Sequence, residues 1–181
     1  MSAKALAALK ARTMCVESAQ VAYFNMDCNE VVEQLLLHLP PHSLDFCFVD
    51  PTNWQIRFDS LGRLSQDRRI DLALTFHVGA IKRCADDAPE ELDDFFGDSA
   101  WRVEYLAAVQ AGRREGSRVL LDAYETRLGK LGYRETNDLV LVRGPRNVPL
   151  YYLVFASKHP RGRDFWDKIS LRSRTGQYRL L

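Results

Sequence analysis

The sequence predicts an α/β fold with a mostly parallel sheet that ends in an antiparallel hairpin. Three observations predict it. Segments of strand length alternate with segments of helical periodicity over the first two thirds of the chain. Residues 44–49 (Leu-Asp-Phe-Cys-Phe-Val) form a nearly continuous apolar run bounded by turn residues. That pattern reads as a strand buried on both faces, as in parallel sheets. Finally, β-rich segments 138–143 and 150–156 flank Gly144-Pro145-Arg146-Asn147-Val148-Pro149, a turn composition suited to a hairpin.

The elements follow in order. Residues 3–17 are predicted helical. Residues 20–26 (Gln-Val-Ala-Tyr-Phe-Asn-Met) are rich in β-formers and predict a short strand. In 29–39, Val31, Val32, Leu35, Leu36 and Leu39 share one helical face, and Pro40-Pro41 stops the helix. The strand at 44–49 comes next, followed by an irregular helix or loop over 54–68. Ile70, Leu72, Leu74 and Phe76 alternate with smaller or polar residues, as in a strand. Asp86, Asp87, Glu90, Glu91, Asp93, Asp94 and Asp98 make 86–98 acidic, and a solvated helix or loop is expected there. Helices are predicted over 101–109 and 117–131, with Gly132 as C-cap of the second. After the hairpin, a short helix carries Phe165, Trp166 and Ile169.

The bulk numbers suit one domain with a substantial core. The chain has 181 residues, of which 46% are hydrophobic and 27% charged, and its net charge is +1. Such a balance carries no polyanion-binding signature. No apolar run approaches the roughly 18 residues of a membrane span. The first ten residues lack the apolar stretch and cleavage site of a secretory signal. Cys15, Cys28, Cys47 and Cys84 are scattered, with no CxxC pair and no histidine at ligand spacing. Reduced cysteines in a cytoplasmic protein are therefore expected, and no metal site. Walker-type, HExxH and GxSxG motifs are absent, which leaves hydrolase and kinase readings without support.

The segments Asp27-Cys28-Asn29-Glu30-Val31-Val32, Phe48-Val49-Asp50-Pro51, and Ile70-Asp71-Leu72 running to Ile81-Lys82-Arg83 resemble the three-Cys-motif partner (TcmP) family. So do Phe95-Phe96-Gly97 with Trp101-Arg102, and the stretch from Pro149 to His159. Together these span about residues 21–169. The family looks like the class I S-adenosylmethionine-dependent methyltransferases, whose Rossmann-like sheet closes with an antiparallel hairpin. The resemblance implies the rear half of that fold. It also implies N-methylation, plausibly of a nucleic-acid base, with S-adenosylmethionine as cofactor.

Under this resemblance, Asp27 and Cys28 lie near the cofactor adenine. Asp50-Pro51-Thr52-Asn53-Trp54 occupies the position of the Asp-Pro-Pro-aromatic signature of amino-methyltransferases. Asp50 would hold the acceptor amine, with Pro51, Asn53 and Trp54 shaping the pocket. Position 52 is Thr instead of the second Pro, and the aromatic falls one place late. Each site also has a plainer reading. Asp50 to Asn53 suits a turn. Asp27 with Glu30 suits a variant capping box. His77 follows a strand and faces the same rim as Asp50, as base or as structural residue. Arg161, Arg163, Lys168, Arg172 and Arg174, interleaved with aromatics, suit nucleic acid. They equally suit a charged helix face whose Phe165 and Trp166 pack inward.

A cofactor fold of this type needs a Gly-rich turn after its first strand. None precedes Asp27 in the sequence. The first strand, its loop, the next helix and the second strand of the implied fold are missing. The two strands ending near Asp27 and Asp50 must then pair directly, or a partner protein or second copy must complete the sheet. The chain is thus a fragment, a half that needs a partner, or a degenerate domain. The alternative to an enzyme is a non-catalytic binding module that docks a protein or nucleic acid.

Overall fold

The computed structural model describes residues 3–15, 19–51, 53–112, 116–134, 139–144 and 147–170. The chain divides into two compact units, Met1–Leu39 and Pro40–Leu181.

The first unit holds two helices, α1 (Ala3–Thr13) and α2 (Val31–His38). The segment predicted as a strand, 20–26, forms no strand. A strand needs a ladder partner, and β-propensity alone does not supply one. Tyr23 instead pairs its hydroxyl with Thr13, and Lys10 Nζ lies 5.5 Å from its ring centroid. Before α2, Asp27 Oδ1 accepts the Asn29 N–H at 2.8 Å, and its carbonyl accepts those of Glu30 and Val31. This is an Asx turn leading into the helix. The capping-box expectation fails in its second half, because Glu30, the N-cap, makes no side-chain capping bond.

The second unit is built on a four-stranded sheet of order β1-β2-β4-β3. Its strands are β1 (Leu44–Val49), β2 (Arg69–Phe76), β3 (Leu139–Arg143) and β4 (Pro149–Ala156). β1 and β2 are parallel, whereas β2–β4 and β3–β4 are antiparallel. The architecture is α/β as predicted, but the sheet is mixed and not mostly parallel. The reason is that 20–26 contributes no strand, which leaves one parallel pair. The hairpin is where the sequence places it. Its turn is closed by Gly144 and Asn147, with Gly144 N–H donating to the Val148 carbonyl at 2.8 Å.

Side-chain parity in this register sorts the sheet into two faces. Ile70, Leu72, Leu74 and Phe76 face one way with Val154 and Ala156, all of them buried. Helices α3 (Phe58–Ser65) and α4 (Val78–Asp87) pack on the sheet, and α4 also packs on α7 (Gly116–Lys130). An aromatic cluster joins β2 to the helices. Tyr124 of α7 stacks on Phe95 at 4.6 Å and tilts against Phe76 at 5.6 Å. Phe95 and Phe96 belong to the short helix α5 (Asp93–Phe96), and Phe96 stacks on Trp101 of α6 (Trp101–Gln110).

The other face is only partly covered. Helix α8 (Pro160–Ser170) lays Trp166 flat on Phe155, with centroids 4.6 Å apart and rings 4° from parallel. Ala73 completes that cluster. Beyond it, on the same face, Leu44, Phe46 and Phe48 of β1 are 80%, 60% and 55% exposed. The prediction of a strand buried on both faces is therefore wrong for β1. It is an edge strand, paired only with β2 among the described residues. The two-sided burial belongs to β2, whose residues from Leu72 to Phe76 are all buried.

The acidic stretch is not simply solvated either. Asp93 accepts bonds from Trp101 Nε1 and from both arms of Arg102. Asp98 accepts from the buried Arg127 at 2.5 Å, and Asp86 from Lys82 and Tyr105. These carboxylates tie α4, α5, α6 and α7 together. Gly132, with φ +90°, ends α7 as expected.

Candidate functional site at the carboxyl rim

Parallel strands direct their carboxyl ends to one rim, where open α/β sheets place their chemistry. Here that rim carries Asp50 after β1 and His77 after β2. Between them lies Thr75, 2% exposed, whose hydroxyl donates to Asp50 Oδ1 at 2.7 Å. Thr75 Oγ1 is also 3.4 Å from His77 Nε2. Tyr151 of β4 packs its ring 5.5 Å from the imidazole, tilted by 55°. Period-two geometry explains the grouping. Thr75 and His77 share a face, Asp50 reaches that face from the neighbouring strand, and the pairing of Phe76 with Tyr152 puts Tyr151 beside them.

The structure thus brings together two of the sequence-predicted site residues, Asp50 and His77. Pro51 and Trp54 are half-buried in the turn that follows, and Asn53 is exposed with φ +67°. Asn tolerates this left-handed conformation better than most residues, and the turn lies at Asn53 and Trp54. Thr52 lies outside the described residues. Asp27 and Cys28 belong to the other unit, where the Asp27 carboxylate accepts the Asn29 N–H.

Sequence reasoning missed Thr75 and Tyr151. A polar residue between Leu74 and Phe76 in an apolar strand, two before His77, was the available signal for Thr75. Nothing local marks Tyr151, because only the β2–β4 pairing brings it near.

On α8, Arg161 and Lys168 are exposed, Arg163 is half-buried, and Phe165 is 66% exposed. Trp166 is buried, so the packing reading holds for one aromatic and fails for the other. Asp164 and Asp167 give the helix mixed charge. Arg172 and Arg174 lie outside the described residues.

The opposite rim, at the amino ends of β1 and β2, holds a cleft of about 290 Å³ lined by His42, Ser43, Asp67, Arg68 and Arg69. Arg68 there reaches Asp45 at 4.0 Å and the Pro40 carbonyl at 3.4 Å. Nearby, Lys158 Nζ donates to the Ser65 carbonyl at 2.5 Å, and burial lowers its pKa. Burial raises that of Cys47, which disfavours the thiolate.

S-adenosylmethionine is the cofactor the resemblance implies, with a Gly-rich turn after a strand to hold it. Among the described residues the glycines with positive φ are Gly97, Gly112 and Gly132, and none of these follows β1 or β2. No group of His, Cys, Asp and Glu side chains among the described residues could hold a metal ion. No described helix is long and apolar enough to cross a membrane. Compared with protein-family models, curated proteins and solved structures, the chain matches none.

Proposed function

We propose that this chain is the rear half of a methyltransferase-derived, TcmP-like domain and works by docking a further polypeptide segment along β1. One observation carries the reading. Among the described residues β1 pairs only with β2, and it bears Leu44, Phe46 and Phe48, each more than half exposed. Soluble proteins blunt such edges with charge, proline or a covering element. The sheet order supports the same reading. A parallel pair closed by an antiparallel hairpin is what the resemblance implies, and its missing strands belong beside β1.

A second reading, N-methylation of a nucleic-acid base, is favoured by Asp50 at the end of β1 and by the cations flanking Phe165. In that case the added segment binds the S-adenosylmethionine, and Asp50 holds the acceptor amine.

Calorimetric titration of the folded chain with S-adenosylmethionine tests both. The expected result is no binding by the chain alone. Binding on the order of −8 kcal/mol, a micromolar affinity, is expected once a strand–Gly-rich turn–helix segment is supplied. Micromolar binding by these residues alone would overturn the half-domain reading. Any nucleic-acid binding carried by α8 should weaken steeply with salt.

A further inference from the structure

We propose that Asp50, Thr75 and His77 form one hydrogen-bonded relay that presents the Nδ1 lone pair of His77 as a proton acceptor at the carboxyl rim. The relay is independent of what docks on β1 and of methyl transfer.

A threonine hydroxyl has one proton and two lone pairs. Thr75 commits its proton to Asp50 Oδ1 at 2.7 Å. Toward His77 Nε2, 3.4 Å away, Oγ1 is left only as an acceptor. Nε2 must then carry the imidazole proton, because two lone pairs facing each other repel. A neutral imidazole has one proton for two ring nitrogens. Nδ1 is therefore bare, and it makes no hydrogen bond among the described residues.

The surroundings hold this arrangement. The His77 carbonyl accepts the Ala80 and Ile81 N–H groups, both at 3.0 Å, which fixes the backbone at the start of α4. Tyr151 restricts the ring from one side. The relay is sealed at Thr75 and half-exposed at His77. A ligand with an N–H or O–H group can approach Nδ1. On transfer, its proton bonds to Nδ1 and the electron pair stays on the ligand atom. The resulting imidazolium keeps donating Nε2–H to Thr75, which keeps donating to Asp50. Thr75 is a positioning residue in this scheme, and the Asp50 charge balances the imidazolium.

The test reads the tautomer directly and needs no substrate. Long-range ¹H–¹⁵N spectra of the labelled chain at about pH 8, where histidine is mostly neutral, distinguish Nε2–H from Nδ1–H. The chain has four histidines, and His77→Gln assigns the relevant signals. Wild type should show Nε2–H, and Thr75→Ser should retain it. Asp50→Ala should free the Thr75 proton to turn toward Nε2 and move the ring to Nδ1–H. Thr75→Val should lower the Nε2–H share to that of a free neutral histidine, which itself favours Nε2–H, and it serves in place of Asp50→Ala should that variant not fold. Nδ1–H in the wild type overturns the relay. So does an unchanged Nε2–H share in folded Asp50→Ala or Thr75→Val, or its loss in Thr75→Ser.

Discussion

A β-carbon added to Gly162 would lie 2.2 Å from Ser157 Oγ and 2.8 Å from Asp71 Oδ2. Ser157 is fully buried, and its hydroxyl is held by the His159 carbonyl at 2.9 Å and the His159 N–H at 3.1 Å. It has nowhere to move. Gly162→Ala gains about 1 kcal/mol of helix propensity. It loses about 1–3 kcal/mol to overpacking. A net destabilisation is expected, read as a lower urea midpoint, with the Trp166–Phe155 stack loosened.

Arg127 is 3% exposed, while its partner Asp98 is 43% exposed at the side chain. Removing the acid strands a buried cation, whereas replacing the cation with an apolar side chain leaves only a solvated carboxylate. Asp98→Ala should therefore cost more than Arg127→Met. Solvent screening of Asp98 limits the first to about 1–2 kcal/mol. The Arg127 bond holds the Asp98 carboxyl below its usual range, with the Ala100 N–H adding to the effect. Its contribution is present above the unfolded carboxylate range and is lost as pH falls through the depressed folded value. Asp98→Asn should flatten that acid limb in denaturation curves.

Glu125 behaves in the opposite sense. Burial pushes its carboxyl up to about 7, against Arg118 and with help from Asp122. Oε1 has no hydrogen-bond partner. The folded state holds the proton more tightly than the unfolded chain, so stability falls as pH rises from the unfolded carboxylate range through about 7. Glu125→Gln should be close to neutral at acid pH and stabilising by on the order of 2 kcal/mol at pH 8. Equal unfolding free energies for variant and wild type at pH 8 would contradict this.

Phe46→Lys with Phe48→Lys changes two side chains that are 60% and 55% exposed. The fold should tolerate both, within about 0.5 kcal/mol each. Any association through β1 should disappear, as charge on an edge strand blocks further pairing. Light scattering on matched samples gives the comparison. Association that persists in the double variant would place the contact elsewhere.

The strands at 44–49 and 70–76, the hairpin and the main helices were legible because each rests on local periodicity and turn residues. What failed was burial. The continuous apolar run became the edge strand, and the alternating Ile70-to-Phe76 segment became the central one. Alternation reports chemistry along one strand, whereas burial depends on what packs against it, and Ala73 is buried in the cluster with Phe155 of β4 and Trp166 of α8. The strand expected at 20–26 failed for the same reason, as its composition was right and its ladder partner absent. The site was half legible: Asp50 and His77 follow strands that point the same way, while Tyr151 joins them only through an antiparallel pairing that local sequence does not encode.

The edge position of β1 among the described residues sets an order of events. β2 is locked between two strands and buried from Leu72 to Phe76, so the amides of that stretch should exchange with solvent only on global opening. The outward-pointing amides of β1 have no such lock among the described residues. A strand that docked there would add to a core already formed, and its arrival would be visible as slowed deuterium uptake in β1 with β2 unchanged.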